Sequence, residues 1–388
     1  MKRIVIVTRE MVLGGVEKAL ISMLNSIPKD KYNVTVLVMK LGGELENEIP
    51  DHVKVECLFG YENTTIKKIS NCIKEGRLIR AFRIIWYSLL IKLTKNGFKH
   101  GKYYSKMIPM IESEYDLAIA YHDPATFPVI FVINNIKAKS KIAWIHVDVS
   151  RNIKELKPYK VFYEKYNKIF CVSENAMKKF NDLFPNLKEK TSVFYNILNK
   201  NQIIKMAEKD DGFNDQFKGI RILTVGRIST EKGQDIIPSV LMKLISDGEN
   251  VRWYCIGDGN DRPELEKLIK KYRLENYFIL LGKKRNPYCY IKQCDIYVQT
   301  SRHEGYCISL AEARALNKPI VTTDFVGARE QIGNGENGLI INFNENEICA
   351  AIKTLINNKH LCTKFENNLK KANVGSTNEI IKLFESVG

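Results

Sequence analysis

A chain of 388 residues, 45% hydrophobic and 27% charged, has the makeup of two or three globular domains, which excludes collagen-like, low-complexity and disordered classes. Its formal charge of +16 favours anionic partners, among them nucleic acid, acidic lipid and phosphorylated metabolites, without choosing among them. Nine scattered cysteines, odd in number and never in a CxxC pair, point to reduced thiols and a cytosolic chain.

In chain order, Met1 to Val7 opens with charge and a short apolar run that Arg9-Glu10 closes, so no secretory signal is read. The longest apolar runs, such as Ile84 to Ile91, fall far below the ~18 residues of a membrane-spanning helix. Short β-branched runs then predict strands at Arg3 to Thr8, Asn33 to Met39, Val53 to Phe59, Asp116 to Tyr121, Lys141 to Val147, Lys168 to Ser173 and Thr191 to Tyr195. Helical spacing between them, as in Val16 to Leu24 and Asn175 to Phe184, predicts a parallel sheet with crossover helices over residues 1–198. A polar interval at 199–218 reads as a linker. The alternation restarts in 219–373, with strands expected at Ile220 to Val225, Val251 to Ile256, Tyr277 to Leu281, Ile296 to Thr300, Ile320 to Thr323 and Leu339 to Phe343. The fold class is therefore α/β, two tandem Rossmann-like doubly wound domains.

One segment breaks the pattern. Residues 64–108 carry eleven cations against the single acid Glu75, so the insertion holds +10 of the net charge. Its apolar residues, including Ile66, Ile69, Ile73, Phe82, Trp86, Leu89, Leu90 and Leu93, suggest helices with a basic side and a greasy side. Three readings stay open: core-facing helices with a solvated charged face, a surface for anionic lipid headgroups, and, least favoured, a nucleic-acid groove.

The chemistry concentrates in the second domain. His303-Glu304-Gly305-Tyr306-Cys307-Ile308-Ser309-Leu310-Ala311-Glu312 follows a strand, so a tight turn and a helix start set backbone N–H groups around Tyr306 to Leu310 at the carboxyl end of the sheet, where phosphate binds. Glu304 and Glu312 can accept hydrogen bonds from hydroxyls at opposite ends of a ligand, the layout of a sugar nucleotide. Gly226-Arg227-Ile228-Ser229-Thr230-Glu231-Lys232-Gly233 places Arg227 and Lys232 after another strand, where they offset diphosphate charge. In the first domain Gly14-Gly15 joins strand to helix, either as a plain turn or to let the backbone approach phosphate. His146 ends an apolar strand and reads either as a ligand to the reacting groups or as a satisfied core histidine, with His122 as its neighbouring alternative. No GxGxxG follows either first strand, no Asp-x-Asp triplet occurs, and no His/Cys cluster has metal-ligand spacing.

The Glu-x7-Glu motif Glu304 to Glu312, the GRIxxEKG segment Gly226 to Gly233 and the Gly14-Gly15 loop resemble the retaining GT-B glycosyltransferases of family 4, over essentially the whole chain. The resemblance implies two domains facing each other across a cleft. It implies that Arg227 and Lys232 hold the donor diphosphate, that Glu312 takes the ribose hydroxyls and Glu304 those of the transferred sugar, and that Ser309 and Leu310 offer N–H groups to the phosphates. Gly305, Tyr306 and Cys307 would line that turn. The loops at Gly257, Asp258, Lys283 and Lys284 would border base and ribose, Gly14 and Gly15 would approach the phosphates, and His146 would contact the donor sugar or help the acceptor hydroxyl. Residues 374–388 would form a helix crossing back to the first domain.

The implied activity is metal-independent, retaining transfer from a UDP- or GDP-sugar to a surface-polysaccharide precursor, with no cofactor. The expected acceptor is a glycan or, as the basic segment suggests, a lipid-linked one, and the expected location is the cytoplasm, either free or peripheral on the inner face of the cell membrane. The rivals are a sugar-nucleotide epimerase of the same fold and a non-catalytic membrane-associated assembly protein.

Overall fold

The β-branched runs pair into two wholly parallel sheets, seen in a computed structural model that describes every residue except 59–64, 123, 373–377 and 388. The first sheet holds β1 (Lys2–Thr8), β2 (Tyr32–Val38), β3 (Lys54–Cys57), β4 (Ile111–Ala120), β5 (Ile136–Ile145), β6 (Lys168–Cys171) and β7 (Thr191–Val193), in the order β3-β2-β1-β4-β5-β6-β7. The second holds β8 (Ile220–Val225), β9 (Val251–Ile256), β10 (Phe278–Gly282), β11 (Ile296–Gln299), β12 (Ile320–Thr323) and β13 (Leu339–Ile341), in the order β10-β9-β8-β11-β12-β13. Both orders reverse beside their first strand, between β1 and β4 and between β8 and β11. At such a reversal the crossovers leave in opposite directions and open a crevice at the strand carboxyl ends.

Central strands are apolar on both faces because helices cover both. Ile4, Val5, Ile6 and Val7 of β1 are fully buried, and a facing helical layer includes Phe131, Tyr163 and Phe180. In the second sheet Trp253 and Cys255 pack on one side, while Tyr254 and Tyr297 pack on the other.

The chain divides into a unit of 1–197 with 378–388 and a unit of 198–377. Residues 199–218, expected as a linker, fall within the second unit. Asn199 caps a helix, Lys200–Met206, by accepting from the Gln202 N–H at 3.0 Å, and Ile203 buries the helix in the second unit. Further on, Asp215 accepts from Arg221 at 2.8 Å, from Arg252 at 2.9 Å and from the Tyr254 hydroxyl. Burial alone would raise its carboxyl, but these donors bring it down to about 2. The polar residues that look like a linker are anchors.

The terminal helix is shorter than expected: it runs Glu379–Glu385, and 374–377 lie outside the described residues, as does Asp123 beside His122. The helix belongs to the first unit, where Phe384 stacks on Tyr32 with centroids 4.8 Å apart and Glu379 accepts from the Tyr195 N–H at 3.0 Å. The basic insertion forms α2 (Thr65–Lys74), α3 (Leu78–Leu93) and α4 (Gly97–Met107), after α1 (Gly15–Asn25) earlier in the chain.

Candidate functional site

In the second unit, the site begins with the strand ends at the β8–β11 reversal. The loop after β8 folds back so that the Lys232 ammonium donates to the Glu304 carboxylate in the loop after β11. Gly233, at φ +67°, makes this return possible, because a Cβ there would strike the Thr300 carbonyl oxygen. The Thr300 hydroxyl in turn donates to the Lys232 carbonyl at 3.0 Å. Desolvation pulls the Lys232 ammonium toward losing its proton, but the facing Glu304 charge outweighs it and holds the ammonium above its ordinary range. Arg227 is exposed on the same loop and close enough for its charge to oppose that of Lys232. Two cations therefore share one strand end, and one of them is neutralised by a carboxylate.

Glu304 is held by a chain of buried hydrogen bonds. The Tyr297 hydroxyl donates to Gln299 Oε1 at 2.8 Å, Gln299 Nε2 donates to Ser301 Oγ at 2.8 Å, and Ser301 Oγ donates to Glu304 Oε1 at 3.0 Å. Ser309 Oγ also reaches Gln299 Oε1, at 3.4 Å, so the first turn of the next helix is tied to the same chain. That helix is Ile308–Ala315, and its N-cap, Cys307, sits at φ +66°. A non-glycine residue there costs about 1–3 kcal/mol and persists only where its surroundings enforce it. Here the Gln331 amide donates to the Tyr306 carbonyl beside it. Burial, followed by the Glu304 charge, pushes the Cys307 thiol up to about 12, so it stays protonated.

The expectation of open N–H groups from Tyr306 to Leu310 is narrowed by this geometry. The helix starts at Ile308, and the Leu310 N–H is directed at the Cys307 sulfur, which leaves Ile308 and Ser309 as the outward first-turn donors. Tyr306 is engaged by Arg314, and Gly305 is overlain closely by Gly327. Glu312, just over one turn in, is buried, and its Oε1 accepts from the Tyr288 hydroxyl at 2.8 Å.

Gly257 fits only as glycine, at φ +142° with its Cβ position on the Gly226 carbonyl oxygen, so the β8 and β9 loops are closely joined. Asp258 caps its own turn by accepting from the Gly259 N–H at 2.8 Å and pairs with Arg262 at 3.7 Å. Lys284 lies over the Tyr290 ring at 5.8 Å, and Lys283 is exposed. His303 lines a cleft with Ser301, Arg302, Thr323, Asp324 and Phe343 at the carboxyl ends of β11 to β13. Tyr288, Gln299 and Ser301 were missed from sequence. The available signal was a polar triplet, Gln299-Thr300-Ser301, at the end of an apolar strand.

In the first unit, Gly14 is the extended N-cap of α1, and its missing side chain leaves room for the buried Glu17 carboxylate; Gly15 is the first helical residue. His146 follows β5 and is buried, with the Tyr121 ring 4.5 Å away and the Trp144 ring parallel at 6.2 Å. Burial, and then the neighbouring His122, lower its imidazole from 6.5 to about 3, so it is uncharged at neutral pH. Its Nε2 has no hydrogen-bond partner among the described residues. It is neither a cation nor a satisfied core histidine. No group of three or more His, Cys, Asp or Glu residues among those described is placed to hold a metal ion.

The comparisons join this geometry to known proteins. Residues 207–372 match the model of the family described as glycosyl transferases group 1. The match covers most of the second unit. Over 255 residues the chain is 30% identical to an uncharacterized glycosyltransferase of Methanocaldococcus jannaschii, covering 60% of this chain and 62% of that protein. Over 210 residues it is 30% identical to the N-acetylgalactosamine-N,N'-diacetylbacillosaminyl-diphospho-undecaprenol 4-alpha-N-acetylgalactosaminyltransferase of Campylobacter jejuni, covering 53% and 56%. The match thus spans about three-fifths of the length of these relatives. Anabaena Alr3699/HepE in complex with UDP-glucose superposes with a TM-score of 0.73 at 18% identity, over 100% of both chains. With its two parallel sheets and this likeness, the chain has the GT-B fold.

Proposed function

We propose that the protein is a metal-independent, retaining glycosyltransferase of family 4 that moves a sugar from a UDP- or GDP-sugar to a lipid-linked surface-polysaccharide precursor on the cytosolic side of a membrane. The observation that carries the reading is the convergence at the β8–β11 reversal of Lys232, Arg227, Glu304, the helix start at Ile308 and the buried Glu312. The relatives named above support a transferase, and one of them names an undecaprenol-linked acceptor.

In this reading the diphosphate takes Lys232 from Glu304 and adds Arg227 and the Ser309 N–H, with Leu310 at the edge of the same turn. Glu304, released, accepts hydroxyls of the transferred sugar; Glu312, oriented by Tyr288, accepts those of the ribose. As the bond from sugar C1 to phosphate oxygen breaks, negative charge grows on the nucleoside diphosphate, and fixed donors there stabilise it without reorganising. The acceptor hydroxyl attacks the face the leaving group departs from, and its proton passes to the departing phosphate oxygen. No protein nucleophile is needed. On the resemblance alone, Asp258, Lys284 and Lys283 keep a bordering role at the nucleotide, Gly14 and Gly15 their approach to the donor phosphates, and an uncharged His146 its role at the donor sugar or the acceptor hydroxyl.

The test is a thermal-shift panel of nucleotide sugars with a chelator present. A UDP- or GDP-sugar should raise the melting temperature in proportion to RT ln(1 + [L]/Kd). A shift that appears only on adding magnesium, or none with any sugar nucleotide, would sink the proposal.

A further inference from the structure

The three-helix insertion has an outer surface that is both apolar and positive. Ala81, Ile84 and Ile91 of α3 are buried, the first two in a small cluster with Cys72 of α2, against which Met107 of α4 packs. A surface helix ordinarily has one such apolar side. On α3 a second stripe faces outward: Leu78, Ile79, Phe82, Trp86, Leu89 and Leu93 fall within an arc of about 100° and run along roughly 22 Å of helix. All six are exposed, Ile79 at 82% and Phe82 at 66%, and Phe82 stacks on Trp86 one turn away, with centroids 6.4 Å apart. Ile66 and Ile73 of α2 are exposed as well. Beside its core-facing side and its exposed cations, α3 therefore carries an exposed apolar side that a solvated charged face does not account for.

Cations border the stripe. Arg80, Arg83 and Lys92 are exposed on α3, and Lys95, Lys99, Lys102 and Lys106 on the turn and helix that follow. The one acid, Glu75, is paired with Arg77 at 3.2 Å. A second copy of the chain laid on this stripe would bring one segment of charge +10 against another. A nucleic acid would meet mostly aliphatic side chains where base stacking wants aromatic ones. An anionic lipid surface satisfies both halves, with phosphate for the cations and acyl chain for the stripe.

We propose that α2–α4 seats the protein in the headgroup layer of an anionic bilayer, with Phe82, Trp86 and Leu89 reaching the acyl boundary. This deepens the transferase reading by naming the phase in which its acceptor is met; the seating itself stands on the surface and not on the chemistry.

The three tryptophans supply the probe. Trp144 and Trp253 are buried, at 1% and 0%, whereas Trp86 is 50% exposed, so an emission change on adding vesicles reports on Trp86. The full chain is titrated with vesicles of phosphatidylcholine alone and of phosphatidylcholine with phosphatidylglycerol. Emission should shift to the blue, and the protein should co-sediment, with the anionic vesicles only, and high salt should weaken both. The surface double variant Phe82→Ser with Leu89→Ser should keep its circular dichroism and melting temperature but lose vesicle affinity at least tenfold. Trp86→Phe should co-sediment yet show no blue shift. The proposal is overturned if anionic vesicles cause no shift, if the double variant binds them as tightly, or if a blue shift appears on concentrating the protein without lipid. None of these readouts depends on a donor nucleotide, so a failed donor panel and a failed vesicle titration are separate results.

Discussion

Lys232 faces two opposed effects, a desolvating loop that disfavours its charge and a carboxylate that restores it. Replacing it removes a cation from the proposed diphosphate site and leaves Glu304 with Ser301 as its remaining donor in that network. Lys232→Ala should lower turnover at least tenfold, because a lost charge-assisted hydrogen bond is on the order of 1.5–3 kcal/mol. Steady-state kinetics with the sugar nucleotide identified by thermal shift would check it, and unchanged turnover would remove Lys232 from the site. Glu304, Glu312 and Lys232 were legible in the sequence because each sits at a fixed offset from a strand end, and strand ends are what hydrophobic patterning locates best. Tyr288, Gln299 and Ser301 were not, because their roles depend on buried hydrogen bonds between elements far apart in the chain. His146 was half legible: its place after β5 was clear, but the orphaned Nε2 follows from the aromatic rings packed around it.

At the scale of elements, the helix Glu379–Glu385 shows how a short piece can matter. Leu383 is fully buried, and its helix also donates from Lys382 Nζ to the Val193 carbonyl of β7 at 2.9 Å. Leu383→Ala should cost the first unit about 2–5 kcal/mol, the usual range for such a truncation. Denaturant titration followed by hydrogen exchange should find the loss in 1–197 and leave 198–377 as before. All thirteen strands were legible, since a buried parallel strand reads as an apolar β-branched run. The early parts of β4 and β5 were not: Ile111 to Tyr115 holds three polar residues in a row, Ile136 to Ser140 interleaves two lysines, and the pairing between them shifts register between Ile111 and Glu114. The outward stripe of α3 was beyond periodicity too, because apolar spacing reveals a side but not what covers it.

For the whole molecule, each unit has its own buried core, so each should respond to solution conditions separately. Acid is the clearest case. With the His146 imidazole at about 3 in the folded protein against 6.5 ordinarily, the unfolded chain takes up this proton first as pH falls. Folding of the first unit should therefore lose up to ~1.4 kcal/mol per pH unit from this group, beginning below about 6.5 and continuing toward 3. His146→Gln should flatten that slope, and melting curves between pH 7 and 4 would show it; parallel slopes for the two proteins would refute the assignment.

Because 378–388 packs with 1–197 while everything between forms the second unit, the polypeptide passes from one body to the other twice. Translation delivers the first sheet early, yet the segment that covers Tyr32 and caps the edge by β7 emerges only after the entire second body has been made. Until then the Tyr32 ring is without the Phe384 ring that stacks on it, and the Val193 carbonyl without its Lys382 donor, so the first body completes its packing last.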